Sequence, residues 1–253
     1  MSDAPNLRER THAAARLARV RAVKFARLVT SRDYRRGLRR GVAASVEHSV
    51  IPFTDGIATV IDVGASRGQF ALFAANCFPR ARIVSFEPQA GPMAELKELL
   101  GDRVETHAVA IGSAPGTASM NISRSDDSSS LLEIGAGQLK VFPGTEKVDT
   151  VEVEVTTLDT VLDQPLNRPC LLKIDVQGLE LEVLKGAAAT LGQVDEALIE
   201  CSFVELYEGQ AMADEVVELM LAAGLRLTGV YGPTSDANGR MVQADFLFQR
   251  SGV

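Results

Sequence analysis

Val60-Ile61-Asp62-Val63-Gly64-Ala65-Ser66-Arg67-Gly68 is an apolar run that passes directly into a turn bounded by two glycines. Thr59–Val63 reads as a buried parallel strand, because its apolar residues are continuous rather than alternating. Phe70–Cys77 reads as the following helix, closed by Pro79. The turn therefore leads from strand to helix. In open α/β sheets ligands bind beyond the carboxyl ends of the strands. Gly64 and Gly68 let the backbone bend sharply and approach a ligand closely. Their spacing is Gly-x-x-x-Gly, and Ser66 stands where the dinucleotide fingerprint Gly-x-Gly-x-x-Gly needs its second glycine. A pyrophosphate cradle is disfavoured. By itself the turn points to a nucleotide-like ligand and no further.

The segments on either side repeat the strand–helix alternation. Arg82–Phe86 reads as a second strand, Pro92–Leu100 as a second helix and Val104–Ile111 as a third strand. Cys170–Ile174 is a further buried strand, Leu179–Leu191 a helix, Glu196–Cys201 a strand and Gln210–Ala223 a helix stopped by Gly224. Leu225–Tyr231 and Met241–Gln249 are expected to pair as a hairpin through Asp236-Ala237-Asn238-Gly239. The expected fold is α/β: a Rossmann-like, doubly wound, mostly parallel seven-stranded sheet with right-handed crossovers and a C-terminal antiparallel hairpin. Gly116–Ile122 and Val151–Thr156 alternate in character like half-exposed strands. They flank Ser125-Asp126-Asp127-Ser128-Ser129-Ser130, so residues near 113–156 form a polar insertion of the kind that usually carries function.

Residues 51–253 would form this domain, and residues 1–50 an Arg-rich helical extension. Residues 1–40 hold twelve Lys or Arg against three acids, so about −16 of charge falls on residues 41–253 of a chain with net charge −7. An acidic body does not attract a polyanionic substrate, and nucleic acid is disfavoured as a partner. The helical pattern over Asn6–Arg40 suits a cover for the core or a homodimer contact. Peripheral membrane contact through residues 7–40 is the functional alternative, and an Arg-rich, acid-poor transit peptide is another. Cys77, Cys170 and Cys201 lack metal-ligand spacing and form no even-numbered framework. Reduced thiols and a cytoplasmic location are expected.

Three strand ends carry chemistry. Glu87, after Ser85-Phe86, lies 19 residues beyond Gly68, where a carboxylate can accept hydrogen bonds from both hydroxyls of a ribose. Leu172-Lys173-Ile174-Asp175-Val176-Gln177-Gly178 sets Lys173 and Asp175 on the opposite side from Ile174. A buried Lys beside an Asp is expensive unless paired. Glu200 ends the next strand at the same edge. These groups can orient an acceptor hydroxyl and take its proton.

The combination of Val60–Phe70, Val84–Pro88, Ala108–Gly116, Ser128-Ser129-Ser130-Leu131, Val153–Asp159, Leu172–Leu184 with Gly186-Ala187, and Gln243-Ala244-Asp245-Phe246-Leu247-Phe248 resembles the FkbM family of S-adenosylmethionine-dependent methyltransferases. The resemblance covers about residues 58–249 and excludes the first 50. It implies S-adenosylmethionine as cofactor and O-methylation of a sugar, glycolipid or natural-product-type small molecule. Gly64, Ser66 and Gly68 would then hold the methionine end, Asp62 the amino group, Glu87 the ribose, and Ala108 and Val109 the adenine. Ser129, in the Ser128–Ser130 loop, would help close the site. Asp175 is the expected base, supported by Lys173 and Glu200, with His107 as the second candidate because only His titrates near neutrality unaided. Asp175 and Glu200, with Glu180, also offer hard oxygen ligands for a divalent cation such as Mg. The family usually has Asn at position 66 and often Glu at position 177. Ser66 should keep the turn, whereas Gln177 supplies no base. A nicotinamide-dependent oxidoreductase and a non-catalytic binding protein on the same fold are the alternatives. The Gly64–Gly68 spacing and the terminal hairpin argue against the first.

Overall fold

The computed structural model describes residues 27–29 and 31–251. Its strands are β1 (Thr59–Val63), β2 (Arg82–Phe86), β3 (Glu105–His107), β4 (Ala110–Ile111), β5 (Gly116–Ser123), β6 (Lys147–Thr156), β7 (Cys170–Ile174), β8 (Glu196–Ser202), β9 (Leu225–Ser235) and β10 (Met241–Arg250). Its helices are α1 (Arg32–Arg39), α2 (Gln69–Cys77), α3 (Ala90–Leu100), α4 (Ala136–Val141), α5 (Leu158–Val161), α6 (Glu180–Lys185), α7 (Ala188–Leu191) and α8 (Ala213–Ala222). Residues 6–26 of the Arg-rich segment lie outside the described residues.

The main sheet has seven strands in the order β3-β2-β1-β7-β8-β10-β9. Its parallel part runs from β3 to β8, and β10 enters antiparallel to both β8 and β9. This is the expected doubly wound α/β sheet with its antiparallel hairpin. Both faces are covered, which is why β1 and β7 are buried at every position. Side-chain alternation divides the core. Val60, Ile83, Leu171, Leu198 and Leu247 pack with Leu72 and Phe73 of α2 and Leu96 of α3. Ile61, Val84, Leu172, Ile199 and Phe248 pack with Val183 of α6 and Met220 of α8. Each such side chain, fully buried, contributes roughly 1.5–3 kcal/mol.

Three expectations need correction. The strand expected over Val104–Ile111 divides, because Glu105–His107 pairs with β2 whereas Ala110–Ile111 pairs with β6. β4, β6 and β5 thus form a separate three-stranded sheet from the polar insertion. The helix expected over Leu179–Leu191 breaks into α6 and α7. Gly186 lies so close to the Gly112 carbonyl that a Cβ would come within 2.0 Å of its oxygen. The Asp159 carboxylate then accepts from Ala189 N and Thr190 N, both at 2.8 Å, and starts a new helix. The helix expected from Gln210 begins at Ala213, because the Gln210 side chain instead accepts from Leu206 N and Tyr207 N.

The expected extension is continuous with the core where it is described. Leu28, Tyr34, Val42, Ala44 and Val46 are buried against α2. Among the described residues no helix is long and apolar enough to cross a membrane.

Candidate active site

A cleft of about 680 Å³ opens at the carboxyl ends of β1, β2, β7 and β8, where the strand order reverses. That is the ligand position of open α/β sheets, at a size typical of small-molecule sites. The turn after β1 forms its floor. Gly64 has φ +79°, and a Cβ there would fall 1.8 Å from the Asp175 carbonyl oxygen. Only glycine lets the turn touch the end of β7. Ser66 adopts φ +46°, and its N–H donates to Glu87 Oε2 at 2.9 Å. Gln89 N donates to the other oxygen, Oε1, at 2.8 Å. Burial pushes the Glu87 carboxyl above the usual range, and these donors oppose the shift. A carboxylate offers about four acceptor positions, so two remain for hydroxyls in the cleft. A strap from the polar insertion closes over this end. Ser66 Oγ donates to Asp127 Oδ1 at 2.6 Å, Gln89 Nε2 donates to the Asp126 carbonyl at 3.3 Å, and Arg67 pairs with the Asp126 carboxylate.

The other end of the cleft is ionic. Asp62 of β1 is level with Lys173 of β7, and Glu200 of β8 is level with Asp245 of β10. By alternation these four side chains leave the sheet on the face that carries α2. Lys173 is 7% exposed. Its Nζ donates to the Gly64 carbonyl at 3.1 Å and lies 3.5 Å from Asp175 Oδ2 and 3.6 Å from Asp62 Oδ1. Burial works against this ammonium, but Asp175, Asp62, Asp245 and Glu200 raise its pKa above the ordinary value. Burial pushes Asp62 up against the pull of Lys173, and both Asp62 oxygens lack a hydrogen-bond partner.

Gln177, at φ +57°, bridges the acids. Its Nε2 donates to Asp175 Oδ1 at 2.7 Å and to Glu200 Oε2 at 3.2 Å, and its Oε1 accepts from the Tyr207 hydroxyl at 2.7 Å. Gln243 Nε2 donates to Glu200 Oε1 at 2.6 Å. Burial, followed by Asp175, Asp245 and Glu180, drives the Glu200 carboxyl well above its usual range. Glu180 is also pushed up by burial, to about 7, although Oε1 accepts from Val176 N and Gly178 N.

Of the residues singled out in the sequence, Gly64, Ser66, Glu87, Val109, Ser129, Lys173, Asp175 and Glu200 line this one cleft. Asp62 lies beneath its floor, fully buried. Gly68 starts α2 with φ +90° against Leu96, so its role is the turn itself. Ala108 is exposed and absent from the lining. His107, the second candidate base, is also outside the cleft. Its ring stacks on Phe86 at 5.0 Å and its Nε2 meets Glu105 at 2.9 Å. Glu200 is engaged by two amide donors, and among the described residues no group of three or more His, Cys, Asp or Glu side chains is arranged to hold a metal. Sequence reasoning gave no individual role to Gln89, His48, Tyr207, Gln243, Asp126 or Asp127, although the last two stand in the polar loop and Gln243 in the terminal segment that it singled out. Alternation with the buried Ala244 and Phe246 could have placed Gln243 and Asp245 in the site. No local signal marks His48 or Tyr207.

The turn and Glu87 fit an S-adenosyl group: a close-approach backbone, a half-used carboxylate at ribose position and an acidic surround for a cation. The methyltransferase FkbM domain model matches residues 62–227. The chain is 26% identical over 202 residues to the 2-O-methyltransferase NoeI of Sinorhizobium fredii, covering 75% of this chain and 82% of that protein. It is 29% identical over 199 residues to methyltransferase sdnD of Sordaria araneosa, covering 67% and 74%. A Burkholderia thailandensis 1,6-didemethyltoxoflavin-N1-methyltransferase structure aligns over 98% of this chain and 93% of its own, at 13% identity and TM-score 0.46. The chain belongs to the FkbM methyltransferase family.

Proposed function

We propose that this protein transfers a methyl group from S-adenosylmethionine to a hydroxyl of a sugar, glycolipid or natural-product-type small molecule. When bound, S-adenosylmethionine supplies an electrophilic methyl group on a sulfonium. Asp175 carries the reading: a carboxylate at the end of β7, in the same cleft as Glu87, fixed by Gln177 at 2.7 Å and by Lys173 at 3.5 Å. A neutral alcohol is a poor nucleophile, and a positioned base adds about 10²–10⁴-fold. Asp175 accepts the hydroxyl proton at a carboxylate oxygen, while Lys173 and Gln177 keep that carboxylate aimed. Holding the reactants in line contributes further. A relative named as a 2-O-methyltransferase supports oxygen as the acceptor atom. A nicotinamide-dependent oxidoreductase would share the sheet, but family membership favours methyl transfer.

Calorimetric titration should show binding of S-adenosylmethionine and none of NAD. Asp175→Ala should lower turnover by about 100-fold or more and leave S-adenosylhomocysteine affinity within a few-fold. Turnover that survives the substitution would remove Asp175 from the base role.

A further inference from the structure

The ionic end of the cleft is walled by chain outside the family-matched span of residues 62–227. On one side stand Gly41, Ala43, Ser45, Glu47 and His48; on the other, Gly232, Gln243 and Asp245 of the hairpin. The two walls meet where His48 Nε2 lies 3.4 Å from Asp245 Oδ2. The imidazole is held edge-on against Phe70 at 5.4 Å and Phe73 at 5.9 Å, and its Nδ1 is buried without a partner. With Nδ1 shut away, the ring's open chemistry is directed at Asp245. A Cβ on Gly232 would come 3.1 Å from the same Oδ2, so β9 also packs closely against that oxygen. Asp245 itself remains partly exposed to the cleft, level with Glu200 on the neighbouring strand.

We propose that His48 and Asp245 form the acceptor-end clamp of this cleft, with His48 positioning the Asp245 carboxylate so that Asp245 and Glu200 together receive adjacent hydroxyls of a polyol acceptor such as a glycoside. Asp245 and Glu200 are level on paired strands, and Gln243, on the same strand as Asp245, donates to Glu200 Oε1 at 2.6 Å and so aims that second carboxyl group. Adjacent ring hydroxyls can donate to the two carboxyl groups, whereas a planar apolar acceptor would cover the partly exposed Asp245 carboxylate without offering it a donor. His48 acts through Asp245 and is a positioning residue.

The clamp rests on the methyl-transfer reading, so the experiment separates the two. The full chain is assayed with methyl-tritiated S-adenosylmethionine against methyl glycosides of the common hexoses and 6-deoxyhexoses. Calorimetry with S-adenosylhomocysteine runs in parallel. The expected result is methylation of at least one glycoside. His48→Ala should then raise acceptor KM by tenfold or more with a smaller loss in kcat, and leave the S-adenosylhomocysteine Kd within twofold. His48→Gln, which can still donate to Asp245, should recover part of the KM. Asp245→Asn, a change of one atom that should fold even if His48→Ala does not, should reproduce the KM effect. A glycoside KM within twofold of the parent in both His48→Ala and Asp245→Asn overturns the clamp and leaves the methyltransferase reading intact. Binding of S-adenosylhomocysteine with no glycoside methylated overturns the polyol assignment. Failure to bind S-adenosylhomocysteine overturns the reading beneath it.

Discussion

At the scale of single residues, Lys173 has the greatest structural consequence. Its ammonium is buried among Asp62, Asp175, Asp245 and Glu200, which together raise its pKa against the cost of burial. Asp62 is 0% exposed, and Lys173, 3.6 Å away, is the main charge that offsets the cost of burying it. Removing one member of a buried pair costs about 3–5 kcal/mol, because the other charge remains buried alone. Lys173→Met should therefore lower the melting temperature by roughly 10 °C, at about 2–4 °C per kcal/mol for a chain of this size. Adding Asp62→Asn should restore part of the loss. A Lys173→Met melting temperature within 2 °C of the parent would mean that Asp62 is already protonated in the folded protein. Asp62 also shows what a strand-end position leaves open about a side chain. Its position beside the turn suggests ligand contact, but strand alternation turns it under the floor toward Lys173.

At the scale of elements, the strap over the turn is the part most exposed to testing. Arg67 and Asp126 are each partly exposed, and such pairs contribute up to about 1 kcal/mol. Arg67→Ala should quicken dissociation of S-adenosylhomocysteine by about fivefold at most, read by stopped-flow displacement. An unchanged off-rate would mean that Ser66 and Gln89 hold the strap without Arg67. The elements that build the site differ in how well the sequence announces them. β1, β2 and β7 keep their expected bounds because each is a short, mostly apolar run within the parallel part of the sheet. The strand expected over Val104–Ile111 fails because Glu105–His107 joins one sheet and Ala110–Ile111 another, and residue pattern cannot say which partner a strand takes. The helix expected over Leu179–Leu191 fails because its break depends on Gly112 and Asp159, distant in sequence. The candidate site follows the same division. Gly64, Glu87 and Asp175 are legible because each sits at a recognisable strand end. His48 comes from a single turn of 3-10 helix and Tyr207 from a loop, and only the tertiary fold brings His48 to the cleft and the Tyr207 hydroxyl to Gln177 in its wall.

At the scale of the whole molecule, the concentration of carboxyl groups at one end of the sheet makes stability depend on pH. Glu180 has its pKa raised from 4.5 to about 7, with burial as the main cause. A raised folded-state value means that the native protein binds the proton more tightly than the unfolded chain. The resulting stabilisation is complete below about pH 4.5 and is lost as pH rises through about 7. Glu200 is shifted in the same direction. Glu180→Gln keeps an oxygen for Val176 N and Gly178 N and removes the ionisation. It should melt higher than the parent at pH 8, with the advantage shrinking toward pH 5. An advantage that is flat across that range would locate the linkage elsewhere. The same sheet has a consequence for biosynthesis. β10, residues 241–250, is threaded between β8 and β9 rather than added at an edge. A nascent chain that has emerged only as far as β9 has the turn, Glu87 and Asp175, yet it lacks the strand that carries Gln243 and Asp245. Ribosome-bound intermediates would thus hold the turn, Glu87 and Asp175 before Gln243 and Asp245 can join them, and under the proposed function full activity would appear only once β10 is inserted.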